Sequence, residues 1–173
     1  MENFLDLTFP QTTLPISSIL ARLLLAAVLG SLLGMEREWR RRPAGLKTHI
    51  MVCMASATFA IVALETVAVP EFQRESVRMD PLRLIEAATS GVAFLVAGFI
   101  IVSRGEVRGI TTGAALWLAS SVGLASGLGF WWIAIPASLM AVFLLIVVRR
   151  LEIGMGAERR GSGKLSDDEA GNH

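Results

Sequence analysis

The sequence predicts an all-α fold, a polytopic transmembrane helical bundle, and three observations carry that prediction. Of the 173 residues, 53% are apolar and the mean hydropathy is +0.59, more apolar mass than a soluble domain of this length can bury in one core. The apolar residues gather into five runs, each near the ~20 residues that a helix needs to cross the hydrocarbon core of a bilayer. Lysine and arginine collect in alternate loops between those runs, the pattern of basic residues retained on the cytoplasmic side.

The first run, Ile16 to Met35, follows a segment, residues 1–15, that holds Glu2 and Asp6 but no Lys or Arg. That segment lacks the positive stretch of a cleavable leader, so the run is expected to remain as a span behind a short periplasmic N-terminus. The second run is His49 to Val69 and the third Leu84 to Ser103, and between them Arg74, Arg78 and Arg83 are offset by Glu71, Glu75 and Asp80. The fourth, Gly109 to Gly127, is rich in Gly, Ser and Thr. Only Leu128 and Gly129 part it from the fifth, Phe130 to Val148, which implies a tight helical hairpin. Arg37, Arg40, Arg41, Arg42 and Lys47 follow the first run, Arg104 and Arg108 the third, and Arg149, Arg150, Arg159, Arg160 and Lys164 the fifth. This distribution puts the N-terminus outside and the C-terminus in the cytoplasm. Residues 16–150 then form the bundle, and residues 151–173, polar and Gly-rich, are expected to be a disordered cytoplasmic tail.

Composition also limits function. A formal net charge of +1 gives no global field toward nucleic acid, and the single Cys53 has no second thiol with which to build a disulfide or a metal site. His49 has no His, Cys or carboxylate at ligand spacing on a helix. No nucleophile and base pair and no phosphate loop is visible, so neither an enzyme nor a resident cofactor is expected. The implied partners are the lipid bilayer and either another membrane protein or a second copy of the chain.

Three constellations remain. Ala26, Gly30 and Gly34 form a ridge of small residues on the first span, repeated on the fourth by Ala119, Gly123 and Gly127. Such ridges let helices approach closely, within one chain or across a dimer. Arg22, Glu65 and Glu86 are ionisable residues predicted at similar depth near the outer end of the bundle, where pairing of Arg22 with either carboxylate is expected. They read as a buried ion pair or as an ion site open to the outside, although Arg22 would repel Mg²⁺. The first basic loop, with alternating charges before Pro43-Ala44-Gly45, is the most structured, and Thr48 is expected to cap the second span.

That loop, G-M-E-R-E-W-R-R-R-P-A-G-L-K-T-H-I-M-V from Gly34 to Val52, resembles the signature of the MgtC/SapB family of bacterial inner-membrane proteins. The matching residues are Glu36, Arg37, Arg42, Pro43, Ala44, Gly45, Thr48 and His49. A second block is similar in order and spacing: G-V-A-F-L-V-A-G-F-I from Gly91, then V-R-G-I-T-T-G-A-A-L-W-L-A from Val107, and G-L-A-S-G-L-G from Gly123. Its matching residues are Gly91, Gly98, Gly109, Thr111, Thr112 and Trp117. Ala93 and Val96 depart from the glycines that the family favours, and looser helix approach is expected there. The resemblance covers roughly residues 17–150. It implies a multi-pass inner-membrane protein of a family associated with magnesium limitation and, in some pathogens, with survival inside host cells. Long members carry a cytoplasmic domain after the last span, and this chain is expected to be a short form without it. With no catalytic motif in view, the expected function is a non-catalytic regulator or adaptor linked to magnesium limitation and ion or phosphate homeostasis, and the alternative, which the family's link with magnesium supports, is a transporter or channel for Mg²⁺ or another cation.

Overall fold

Pro15 starts the first helix: at φ −56° its carbonyl accepts hydrogen bonds from the amides of Ser18 at 2.8 Å and Ile19 at 3.1 Å. The computed structural model describes residues 12–68, 81–103 and 106–170. Most of the predicted periplasmic segment, the loop residues 69–80 with Arg74 and Arg78, and Arg104 lie outside the described residues. In chain order the elements are α1 (Ile16–Trp39), α2 (Leu46–Ala68), α3 (Pro81–Ala97), β1 (Ile101–Ser103), β2 (Glu106–Arg108), α4 (Ile110–Leu128) and α5 (Trp131–Ala170).

Helix α1 runs four residues past its predicted end, because Glu36 and Arg40 pair across its last turn at i,i+4 spacing. It stops in a Schellman closure, with the Arg42 amide on the Arg37 carbonyl at 3.1 Å and the Arg41 amide on the Glu38 carbonyl at 3.0 Å. This closure requires a left-handed residue, usually glycine, and here Arg41 takes it at φ 51°. Because that conformation costs a non-glycine residue about 1 kcal/mol, Arg41→Gly is expected to raise the thermal unfolding midpoint of the purified protein, read by tryptophan fluorescence. A lowered midpoint would mean that the Arg41 side chain makes contacts worth more than the strain.

Helix α2 begins at Leu46, three residues before the predicted start, and Thr48 does not cap it. Thr48 lies inside the first turn, and the Glu38 carboxylate instead accepts the Leu46 amide at 2.9 Å, placing negative charge at a helix N-terminus. Helix α3 ends at Ala97 rather than Ser103, and at 17 residues it is about 25 Å long. The β-branched residues Ile100, Ile101 and Val102 favour extended backbone. They lead into a hairpin in which Ile101 faces Arg108, Val102 faces Val107 and Ser103 faces Glu106.

The chain divides into two units, residues 1–138 and 139–173. In the first, α4 packs against α1, α2 and α3. Ten of its residues are buried, six of them Gly, Ser or Thr. A helix ringed by other helices needs small side chains for close approach rather than bulk facing lipid. Gly129, at φ 87°, ends it in a second Schellman closure, with Phe130 N on Ala125 O at 2.8 Å and Gly129 N on Ser126 O at 3.1 Å. The first eight residues of α5 belong to this unit, and Ala134 and Ser138 are buried in it. In the second unit α5 continues to Ala170, where the sequence predicts a disordered tail over residues 151–173. No proline follows Pro136, and Met155, Ala157, Glu158, Arg159, Arg160, Lys164, Leu165 and Glu169 are strong helix formers that outweigh the interspersed glycines.

Among the described residues three segments are long and apolar enough to cross a membrane: α1, Leu46–Val67 of α2, and Trp131–Val148 of α5. Of the other two predicted spans, α3 is short for a hydrocarbon core of about 30 Å, and α4 is the inward-facing helix.

Candidate functional site

The two arginines of α1 fix it against α4. Arg22 Nη1 donates to the Gly127 carbonyl at 2.8 Å, and Arg37 Nη2 donates to Thr112 Oγ1 at 2.7 Å. The arginines lie fifteen residues apart on α1 and their partners fifteen apart on α4, so the helices run antiparallel with an anchor at each end, about 22 Å apart. Between the anchors the two small-residue ridges grip α2 from either side. A Cβ on Gly30 would stand 2.9 Å from Cys53 Cβ, and one on Gly34 2.8 Å from Leu46 Cα. On α4, a Cβ on Gly123 would stand 2.9 Å from Cys53 Cα, and one on Gly127 2.8 Å from Ala57 Cα. Ala26 and Ala119 are fully buried. Both ridges are therefore consumed inside the chain. The Ser56 and Ser120 hydroxyls, 2.8 Å apart and buried, add a polar tie between α2 and α4.

At the end of the bundle that carries the α1–α2 loop, the two family-like blocks meet. Arg37, Arg42 and Pro43 from the first, with Gly109, Thr111 and Thr112 from the second, line a cleft of about 450 Å³. Arg37 is only 4% exposed and its Nε has no hydrogen-bond acceptor, while Arg42 and Thr111 are exposed. Gly109 positions this end of α4. At φ 94° it starts the helix, its carbonyl accepts the Gly113 amide at 2.9 Å, and a Cβ there would lie 2.8 Å from the Phe99 carbonyl carbon. Pro43 and Ala44, the latter at φ 56°, carry the chain from α1 to Gly45, where a Cβ would strike the Glu38 carboxylate. Glu36 faces Arg40 rather than the cleft arginines. His49 is fully buried against Gly34, its Nδ1 3.0 Å from the Gly45 carbonyl and its Nε2 without a partner.

Other members of the second block stand apart. Gly91 has nothing within 4 Å of a would-be Cβ, Gly98 closes the turn after α3, and Trp117 is half exposed. Val96 does not loosen the bundle as expected. It fills the space over Gly113, whose missing side chain accommodates it.

At the opposite end the expected charge cluster does not form. Arg22 is taken by the α4 C-terminus, where a guanidinium satisfies a carbonyl left free by the end of the helix. Glu65 accepts the Thr13 and Leu14 amides at 2.8 and 2.9 Å and the Thr13 hydroxyl at 3.2 Å, clamping the segment before α1. Glu86 is exposed on α3. Among the described residues the one ion pair is Glu36–Arg40. Hydropathy places charges by depth alone, and backbone partners such as Gly127 carry no sequence mark, so these contacts were not legible beforehand. Glu38 as the α2 cap was also missed, because it stands eight residues before Leu46 and only the fold of the intervening loop brings it there.

Apolar helices packed through small residues, with a basic, threonine-lined cleft at one end, define a membrane protein of the helical-bundle class. Residues 23–153 match the MgtC family, and the chain belongs to it. Protein SapB of Bacillus subtilis is 41% identical over 77% of this chain and 59% of its own length. A protein of Escherichia coli K12 named "Putative magnesium transporter YhiD" is 35% identical over 78% of this chain and 62% of its own. Protein MgtC of Salmonella paratyphi A is 34% identical over 80% and 58%. The chain thus spans little more than half the length of these curated relatives. No solved structure matches the chain.

Proposed function

We propose that this protein crosses a bacterial inner membrane several times, with its N-terminus outside and its C-terminus in the cytoplasm, and acts without catalysis as a regulator or adaptor. It would dock on another membrane protein and so bear on magnesium limitation and on ion or phosphate homeostasis. The observation that supports a regulator over a carrier is the engagement of Glu65. A carboxylate that would be expected to bind a cation is committed to two backbone amides and a hydroxyl, and the guanidinium of Arg22 is held at the α4 C-terminus. The orientation is supported by the basic residues Arg37, Arg40, Arg41 and Arg42, which share one end of the bundle with the Thr112 terminus of α4.

A carrier of Mg²⁺ is the second reading, favoured by the name of the Escherichia coli relative. Mg²⁺ uptake into liposomes, followed with an internal fluorescent indicator, separates the two. The expected result is no flux above empty liposomes for wild type, Glu65→Gln or Glu86→Gln, with a membrane protein co-purifying from native membranes. Flux in wild type that either substitution abolishes would replace the regulator with a carrier.

A further inference from the structure

The cleft at the loop end holds unbalanced positive charge. Arg37 is 4% exposed, its Nε–H has no acceptor, and among the described residues no carboxylate pairs with it. Its acidic neighbours are occupied: Glu36 pairs with Arg40, and Glu38 accepts the Leu46 amide. A guanidinium withdrawn from water without a directly paired carboxylate is costly, yet this one lines an open cleft where an anion can reach it.

The other groups around the cleft are also donors. Helix α4 begins there at Gly109 with no side-chain cap, and the first amides of a helix have no intrahelical acceptor and carry the positive end of its dipole. Thr112 Oγ1 accepts from Arg37, which leaves the hydroxyl proton free to donate. Thr111 lines the cleft, and Arg42 is exposed at its rim. Two guanidinium groups, two hydroxyls and a helix N-terminus match the several oxygens and negative charge of a tetrahedral phosphate. A cleft of about 450 Å³ holds that group with part of whatever it is esterified to.

We propose that this cleft binds a phosphate group, held by Arg37, Arg42, Thr111, Thr112 and the first amides of α4. The group comes from free phosphate or from the headgroup of an anionic phospholipid at the membrane surface. The site serves a regulator and a carrier alike, so it stands or falls apart from the preceding reading.

The test has two arms, each run on wild type, Arg42→Gln and Thr111→Val, with folding checked by circular dichroism and gel filtration. Both substituted side chains are exposed, so these substitutions leave the packed interior untouched. In the first arm the thermal unfolding midpoint in detergent is titrated with inorganic phosphate against sodium chloride of equal ionic strength. In the second, protein reconstituted in mixed phosphatidylcholine and phosphatidylglycerol vesicles is re-extracted, and bound phosphatidylglycerol is counted by native mass spectrometry. A phosphate-specific rise in midpoint, with an apparent Kd weakened about tenfold in each variant, assigns the site to free phosphate. Retained phosphatidylglycerol that both variants lose, without a phosphate effect, assigns it to the lipid headgroup. The proposal is overturned if neither probe binds wild type, or if binding is the same in all three proteins.

Discussion

Replacing Gly123 by alanine is expected to cost the fold about 3 kcal/mol, the upper end of what an added methyl costs in a packed interior. Its Cβ would stand 2.8 Å from the Cys53 carbonyl carbon and 2.9 Å from Cys53 Cα. Backbone cannot rotate away as a side-chain tip can, so α4 must move off α2. Gly30 presses on the same residue, with a would-be Cβ 2.9 Å from Cys53 Cβ, so a shift at one contact strains the other. Gly91→Ala is the control, because nothing lies within 4 Å of that position on α3. There, removing the conformational freedom of glycine should add up to about 1 kcal/mol. Denaturant or thermal unfolding in detergent measures both. Equal effects at the two glycines would mean that the ridges do not carry the packing.

The second large effect is expected at Arg37, where stability and binding should move in opposite directions. Methionine has similar reach and no charge. Arg37→Met removes a buried guanidinium that forms no ion pair among the described residues, at the loss of one hydrogen bond to Thr112. By the behaviour of buried charges replaced with apolar side chains, the bundle should gain about 2 kcal/mol. The same change should abolish the stabilisation by phosphate or phosphatidylglycerol, since the deepest donor is gone. A fold kept less stable than it could be by a group facing an open cleft is what a binding site predicts. An Arg37→Met protein that is less stable and still binds would show that the guanidinium serves packing alone.

Much of the architecture was legible in particular residues. The spacing of Ala26, Gly30 and Gly34, and of Ala119, Gly123 and Gly127, marked helices that approach closely, and the four glycines lie against α2 in the fold. The family blocks around Arg37 and Thr112 were legible as sequence, but their meeting was not, since 75 residues separate the two ends of that hydrogen bond. The outer charge cluster was misread for a definite reason. Depth along a helix follows from counting residues, whereas rotation about the axis and the choice of a backbone carbonyl over a carboxylate depend on neighbouring helices. The pairing of Ile101–Ser103 with Glu106–Arg108 was likewise hidden, because Ile100, Ile101 and Val102 suit a span by hydropathy and a strand by their branching.

By itself the sequence determined the helical membrane class, the family, and which faces are small enough for close contact, because hydropathy, charge and side-chain volume are properties of each residue where it stands. Only the tertiary structure decided that α4 is the inner helix, that Arg22 and Arg37 anchor its two ends, and that Arg37, Arg42, Thr111 and Thr112 share one cleft. Those outcomes depend on which helix lies beside which, and in what rotation, and that is set by packing between segments far apart in the chain.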